Sequence, residues 1–198
     1  MTLASLSYTK RMQRHFSRVL LMSQLSLLVF LGACIALMPQ FLLEHNEGGV
    51  SNYGTYARTI VPFTLAFMLS AGFALWSACL IPATSKTRRH FRLILQLYAL
   101  IFLVVMGSTY PYKVNSFFDN LHIAAAILVT CFELATGVWL VRQGGKMADR
   151  IWLTVLMVGF IAAVLTLGGV GHILLMTQGV VSLAFGVLLV RGGKRLVQ

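Results

Sequence analysis

The chain has 198 residues, 58% of them hydrophobic and 11% charged, with a formal net charge of +11. A soluble domain carries about 25% charged residues, and one of this size leaves about 30% of its unfolded surface in water. A mean hydropathy of +0.83 therefore excludes a soluble globule and a disordered chain, and leaves an integral membrane protein.

Residues 1–17 form a basic segment that includes Lys10, Arg11 and Arg14. Runs long enough to cross about 30 Å of hydrocarbon as helices follow at 19–43, 60–83, 93–111, 121–141, 151–168 and 172–190. The first contains Leu31-Gly32-Ala33-Cys34, which looks like a bacterial lipobox. The apolar run continues through Ile35, Ala36, Leu37 and Met38, longer than the apolar core of a cleaved signal, so it reads as an uncleaved span. Cys34, Cys79 and Cys131 are widely separated and form no C-x-x-C, so they read as small apolar fillers rather than zinc or redox ligands. A loop at 44–58 follows the first span and holds Glu44, His45 and Glu47 among Gly, Asn, Ser and Tyr. A second loop at the same end, 111–118, leads into the fourth span, which carries Asp119, His122 and Glu133. A glycine-rich turn at 168–172 separates the last two spans.

No strand alternation of the kind a lipid-facing barrel needs is present, and helices are the remaining way to satisfy backbone polar groups in lipid. The predicted fold is all-α: a polytopic transmembrane bundle of six helices forming one domain over 1–198. The fourth and sixth spans both open on His-Ile, end on G-V-W-L-V-R and G-V-L-L-V-R, and run into Gly-Gly-Lys. That pattern is compatible with three repeated hairpins. Gly179, Ser182 and Gly186 share a face suited to close helix packing, and Gln96 and Gln178 are expected to bond between helices. Trp139 and Trp152 are expected in an interfacial aromatic belt.

Charge sets the topology. Lys10, Arg11, Arg14 and Arg18 precede the first span; Lys86, Arg88, Arg89 and Arg92 lie between the second and third; Arg142, Lys146 and Arg150 lie between the fourth and fifth; Arg191, Lys194 and Arg195 follow the sixth. Only Arg58 and Lys113 fall at the other end. The positive-inside rule puts both termini in the cytoplasm, with a bacterial cell membrane the expected location. A polybasic face for anionic lipid is a secondary consequence. Four short juxtamembrane clusters are not the single basic stripe that nucleic acid requires, so no nucleic-acid partner is expected.

Ionisable residues in or at the edge of the membrane are the functional candidates. Asp119 and His122 are three apart and share a helix face. Glu133 is eleven residues after His122, close to three turns, so it lies on the same stripe with Ala126 and Gly137. That stripe is expected to face protein, with Glu133 protonated, because a charged carboxylate on lipid costs about 2.5–3.5 kcal/mol. Arg58, Asp119, His122 and His172 belong at one depth near the outer interface. Converging, they form a pocket for a lipid phosphate or other small anion. Alternatively Asp119, His122 and His172 hold zinc with an open position, or each is simply hydrated at the interface.

The segments V-S-N-Y-G at 50–54 and N-L-H-I-A-A-A at 120–126, with Ala71-Gly72 in the helix between them, resemble a prokaryotic six-helix membrane family of unknown function related to the eukaryotic Frag, DRAM and Sfk proteins. The resemblance implies a theme of membrane lipid and carries over Ser51, Tyr53, Gly54 and His122. A second likeness, to ceramidase-like and adiponectin-receptor-like hydrolases, would imply bound zinc, but six spans rather than seven and no paired histidines on the last span depart from it. The expected function is lipid handling or membrane organisation through an outward polar pocket, with membrane lipids as partners and a second copy or another membrane protein as a further one. The competing classes are a metal-dependent intramembrane hydrolase and a small proton-coupled transporter.

Impermeant thiol labelling of intact cells tests the orientation. A cysteine placed at Asn46 should react, and cysteines at Ser85 or Gly145 should not; labelling of the latter two would reverse the topology.

Overall fold

The computed structural model describes residues 3–43, 49–109, 116–171 and 173–197, and contains no strand among them. The elements are α1 (Leu3–Leu37), α2 (Gln40–Leu43), a 3-10 turn (Val50–Thr55), α3 (Ile60–Cys79), α4 (Lys86–Thr109), α5 (Ser116–Arg142), α6 (Met147–Leu167) and α7 (Leu174–Val197). All of the α-helices except α2 are long and apolar enough to cross a membrane, six in total among the described residues. The chain is an all-α, six-helix, multi-pass membrane protein.

Helix ends depart from the apolar runs where proline intervenes. α1 stops at Leu37 rather than 43, because Pro39 disfavours helical backbone at Met38; the chain turns and makes the short α2. α3 stops at Cys79 rather than 83, three residues before Pro82, which has no N–H to continue the ladder. At the other extreme, the basic segment is not a separate tail. α1 extends through it as continuous helix from Leu3.

Sequential helices pack against one another: α1 on α3, α3 on α4, α4 on α5, α5 on α6 and α6 on α7. α7 also packs on α1, α4 and α5, so it runs through the interior. Half of its apolar window is buried, against 17% for α6, which lies at the rim. Small residues make this approach possible. A Cβ added to Gly186 would lie 2.9 Å from Gln24 Oε1, one at Gly192 2.7 Å from Leu140 Cδ2, and one at Gly193 2.8 Å from Phe91 Cζ. Such close contact supplies the dispersion that holds helices together in lipid, where burial of apolar surface gives little. Gly179 is different: a Cβ there meets nothing within 4 Å, so of the small-residue face expected on this helix Gly186 makes the contact and Gly179 does not. Gln96 is exposed and makes no interhelical bond among the described residues; its position on the outer face of α4 overrides its polarity. Trp139 is half-buried and stacks on Phe91 with ring centroids 6.3 Å apart, so it packs between helices.

The two chain ends and the basic clusters meet at one end of the bundle. Arg88 of α4 donates from Nε to the Leu196 carbonyl at 3.2 Å and from Nη2 to the Val197 carbonyl at 3.3 Å. Gln13 of α1 donates to the same Val197 carbonyl at 3.0 Å. These bonds satisfy carbonyls that a helix C-terminus leaves without partners. Beside them, Asp149 is buried in a clasp. Its Oδ1 accepts from Arg191 Nε at 2.6 Å and its Oδ2 from Arg195 Nη1 at 2.7 Å and from the Lys146 backbone N–H at 2.9 Å. Arg195 Nη2 continues to the Leu140 carbonyl at 2.7 Å. One carboxylate thus ties α6, α7 and α5 together.

Asp149→Asn should lower stability by about 3 kcal/mol, the low end for a broken buried pair, because Arg191 is 43% exposed and keeps some water. Arg142→Gln, at an exposed site without a hydrogen bond or ion pair among the described residues, should change it by less than about 0.5 kcal/mol. Thermal melting in detergent micelles compares the two.

Candidate functional site

At the end opposite the termini, the 3-10 turn closes over the bundle. Gly49 enters it with φ +63, a left-handed conformation that favours glycine, and a Cβ there would lie 2.6 Å from Gln178 Oε1. That same oxygen accepts the Val50 backbone N–H at 2.7 Å, so Gln178 of α7 anchors the turn. Tyr53 is buried, with its ring edge against Phe41 at 5.4 Å between centroids. Its carbonyl accepts from Thr59 Oγ1 at 2.6 Å, which fixes the turn to the start of α3. The Tyr53 hydroxyl has no hydrogen-bond partner among the described residues. Burial, with the Cys34 thiol adding to it, pushes this phenol up to about 12. Ser51 and Asn52 on the same turn are half-buried.

Gly54 is where the turn meets the end of α4, the third span. A Cβ on it would lie 2.5 Å from Thr109 Cγ2 and 2.7 Å from Phe63 Cε1, so only glycine permits this approach. Thr109 Oγ1 in turn stands 3.3 Å from His122 Nδ1, and Ser108 Oγ stands 3.5 Å from it. Both hydroxyl protons are committed to the Val105 carbonyl, at 2.6 and 3.1 Å. The imidazole Nδ1 is therefore the donor toward these oxygens. His122 is buried, and Asp119, one turn earlier and half-buried, acts on it electrostatically. Thr109 is thus the hinge of the cluster: it joins the turn carrying Ser51, Tyr53 and Gly54 to the helix carrying Asp119 and His122.

Arg58 lies in the link between the turn and α3. It is exposed and makes no hydrogen bond or ion pair among the described residues. His172 lies outside the described residues, as do Glu44, His45 and Glu47. Among the described residues no three His, Cys, Asp or Glu side chains form a group that could hold a metal ion; two of the three zinc candidates, Asp119 and His122, fall within that set.

A second polar group lies inside the bundle. Ser23 Oγ of α1 donates to the Ser70 carbonyl of α3 at 2.8 Å and stands 3.2 Å from the Ser70 hydroxyl. Gln24 Nε2 reaches Ser23 Oγ at 3.4 Å and the Tyr98 hydroxyl of α4 at 3.5 Å. Glu133 of α5 is 4% exposed, interacts electrostatically with Tyr98, and has no hydrogen bond among the described residues. The stripe read from sequence on the fourth span, α5, thus faces inward at His122, Glu133 and Gly137, with Ala125 more deeply placed than Ala126. Sequence reasoning passed over Thr109, Tyr98, Ser23, Gln24, Ser70 and Asp149. The available signal was a polar residue inside each apolar run and, for Asp149, an acid three residues after Lys146 in an otherwise basic cluster.

No family model, curated protein or solved structure matches this chain.

Glu133→Gln keeps the shape of the side chain and should leave the melting temperature in micelles nearly unchanged. Glu133→Lys should prevent folding, since a charged amine at a helix centre costs about 2.5–3.5 kcal/mol even on an insertion scale. A strongly destabilised Gln variant would require a cationic partner for the carboxylate.

Proposed function

We propose that this membrane protein handles lipid, and that its end opposite the termini, outward by the distribution of Lys and Arg, holds an anionic head group. Arg58, Asp119 and His122, with His172 and the turn residues Ser51 and Tyr53, form the binding set. The observation that carries this reading is Arg58: an exposed guanidinium without a carboxylate or carbonyl partner among the described residues, one residue before the buried Thr59 that locks the turn. A planar, permanently charged donor fork at the interface suits a phosphate. The relationship to the Frag, DRAM and Sfk proteins is part of the same proposal. It is supported by the packing of Gly54 on Thr109 and the approach of Thr109 to His122, which link two of the motifs that carry the resemblance.

A second reading, a proton-coupled carrier, is favoured by Glu133, a buried carboxyl without a hydrogen bond among the described residues, beside the Tyr98–Gln24–Ser23 chain. Buried carboxyls of this kind serve as proton relays in transporters.

Binding of a soluble short-chain phosphatidic acid to the protein in neutral micelles separates the two. Arg58→Ala should weaken it about fivefold, the scale of one cation near an anionic group, and added salt should weaken it further. Equal binding by wild type and Arg58→Ala would remove the head-group reading. Proton uptake into proteoliposomes that disappears in Glu133→Gln would favour the carrier.

A further inference from the structure

The opposite end of the bundle carries its own unanswered charge. Arg11, Arg14 and Arg18 follow one another at three and four residues along α1 and so share one face. All three are exposed, and among the described residues none makes a hydrogen bond or ion pair. Like charges at this spacing repel, so the arrangement is costly without an anion. Among the described residues no side-chain carboxylate answers it. Of the acidic residues described, Asp119 belongs to the other end, Glu133 is inside the bundle, and Asp149 is already held by Arg191 and Arg195.

Two concavities flank this arginine ridge. One, of about 570 Å³, is lined by Arg11, Arg14, His15 and Arg18 with Met12 and Leu80. The other, of about 370 Å³, is shared by Arg14 and Arg18 with Lys194 of α7. Arg14 and Arg18 border both. Continuing along the same face, the spacing of three and four leads to Leu21, Met22, Leu25 and Val29, which are exposed and lie deeper in the span. One stripe of α1 is therefore cationic above and apolar below.

We infer that this stripe is a binding site for an anionic phospholipid, its phosphate held between Arg14 and Arg18 with Arg11 and Lys194 alongside, and its acyl chain lying on Leu21, Leu25 and Val29. Free phosphate would use the arginines but leave the apolar continuation without a role; an amphiphile uses both. Basic hollows between helix ends are a known mode of head-group recognition. The site does not depend on the head-group reading at the other end, because it shares no residue with it.

The test is native mass spectrometry of the full chain released from neutral micelles, with phosphatidylglycerol and phosphatidylcholine of identical chains as probes. Wild type should retain phosphatidylglycerol preferentially. Arg14→Gln with Arg18→Gln should weaken its retention about thirtyfold, at about fivefold for each charge removed. Arg142→Gln with Arg150→Gln, an equal change of net charge at exposed sites of the same end, should leave it unchanged. Equal loss in the Arg142/Arg150 pair would mean a diffuse charge effect and overturn the site, and so would full retention by the Arg14/Arg18 pair. Inorganic phosphate that displaces the lipid at millimolar concentration would also overturn it, since the acyl chain would then contribute nothing. Arg14→Lys with Arg18→Lys keeps the charge and gives a second reading: retention within about tenfold of wild type is expected, and complete loss would contradict a phosphate held by charge.

Discussion

Hydrocarbon cannot hydrogen-bond a peptide group or solvate a charge, and this constraint governs the rest of the structure. Each unsatisfied backbone group would cost several kcal/mol in lipid, so the chain crosses as helix and turns only near the ends of its spans. Charge follows the same rule. Fourteen of the sixteen basic residues belong to one end of the bundle. Asp149, enclosed near the membrane edge, accepts three hydrogen bonds from Arg191, Arg195 and the Lys146 backbone.

Apolar burial that drives folding in water is weak between helices already in lipid, so shape does more of the work. α7 shows this best. Its glycines let Gln24, Leu140 and Phe91 approach its backbone, and its last carbonyls are bonded by Arg88 and Gln13 from two other helices. α6 packs on α7 through Gly159, where a Cβ would lie 2.9 Å from Val181 Cγ2, and presents Val158, Ile161 and Val164 outward; its attachment to α7 is reinforced by the Asp149 clasp. Close packing at glycines thus holds both the interior and the rim of the bundle, and at the rim a charged tie at the membrane edge is added.

The polar groups form three levels along the bundle. A turn locked by Thr59 and Gln178 and meeting His122 through Thr109 lies at one end. Ser23, Gln24, Ser70, Tyr98 and Glu133 occupy the interior. A ridge of arginines with apolar residues beneath it lies at the other end. The interior level comes from four helices, and polar bonds there fix the helices' rotation about their axes, because turning any one of them would expose a hydroxyl, amide or carboxyl to lipid.

Composition and span counting alone were enough for the helical class, the six crossings and the separation of basic from neutral ends, because each follows from the cost of placing single residues in hydrocarbon. The inward face of α5 was also legible, from the spacing of His122 and Glu133. Partnerships between helices were not. The tripeptide Gly-Gly-Lys occurs twice with similar flanks, yet Gly144-Gly145-Lys146 is a turn with Gly144 at φ +87, while Gly192-Gly193-Lys194 is unbroken helix. In the second case Leu140, Phe91 and Leu20 press on the glycines and only a helix fits beneath them; in the first the glycines face no such neighbours across the bundle and the chain reverses. The same holds for Asp149, Thr109 and Tyr98, whose roles depend on residues dozens of positions away. A residue's own cost in lipid is written in its side chain, but what answers that cost is decided by which helices the tertiary structure brings against it.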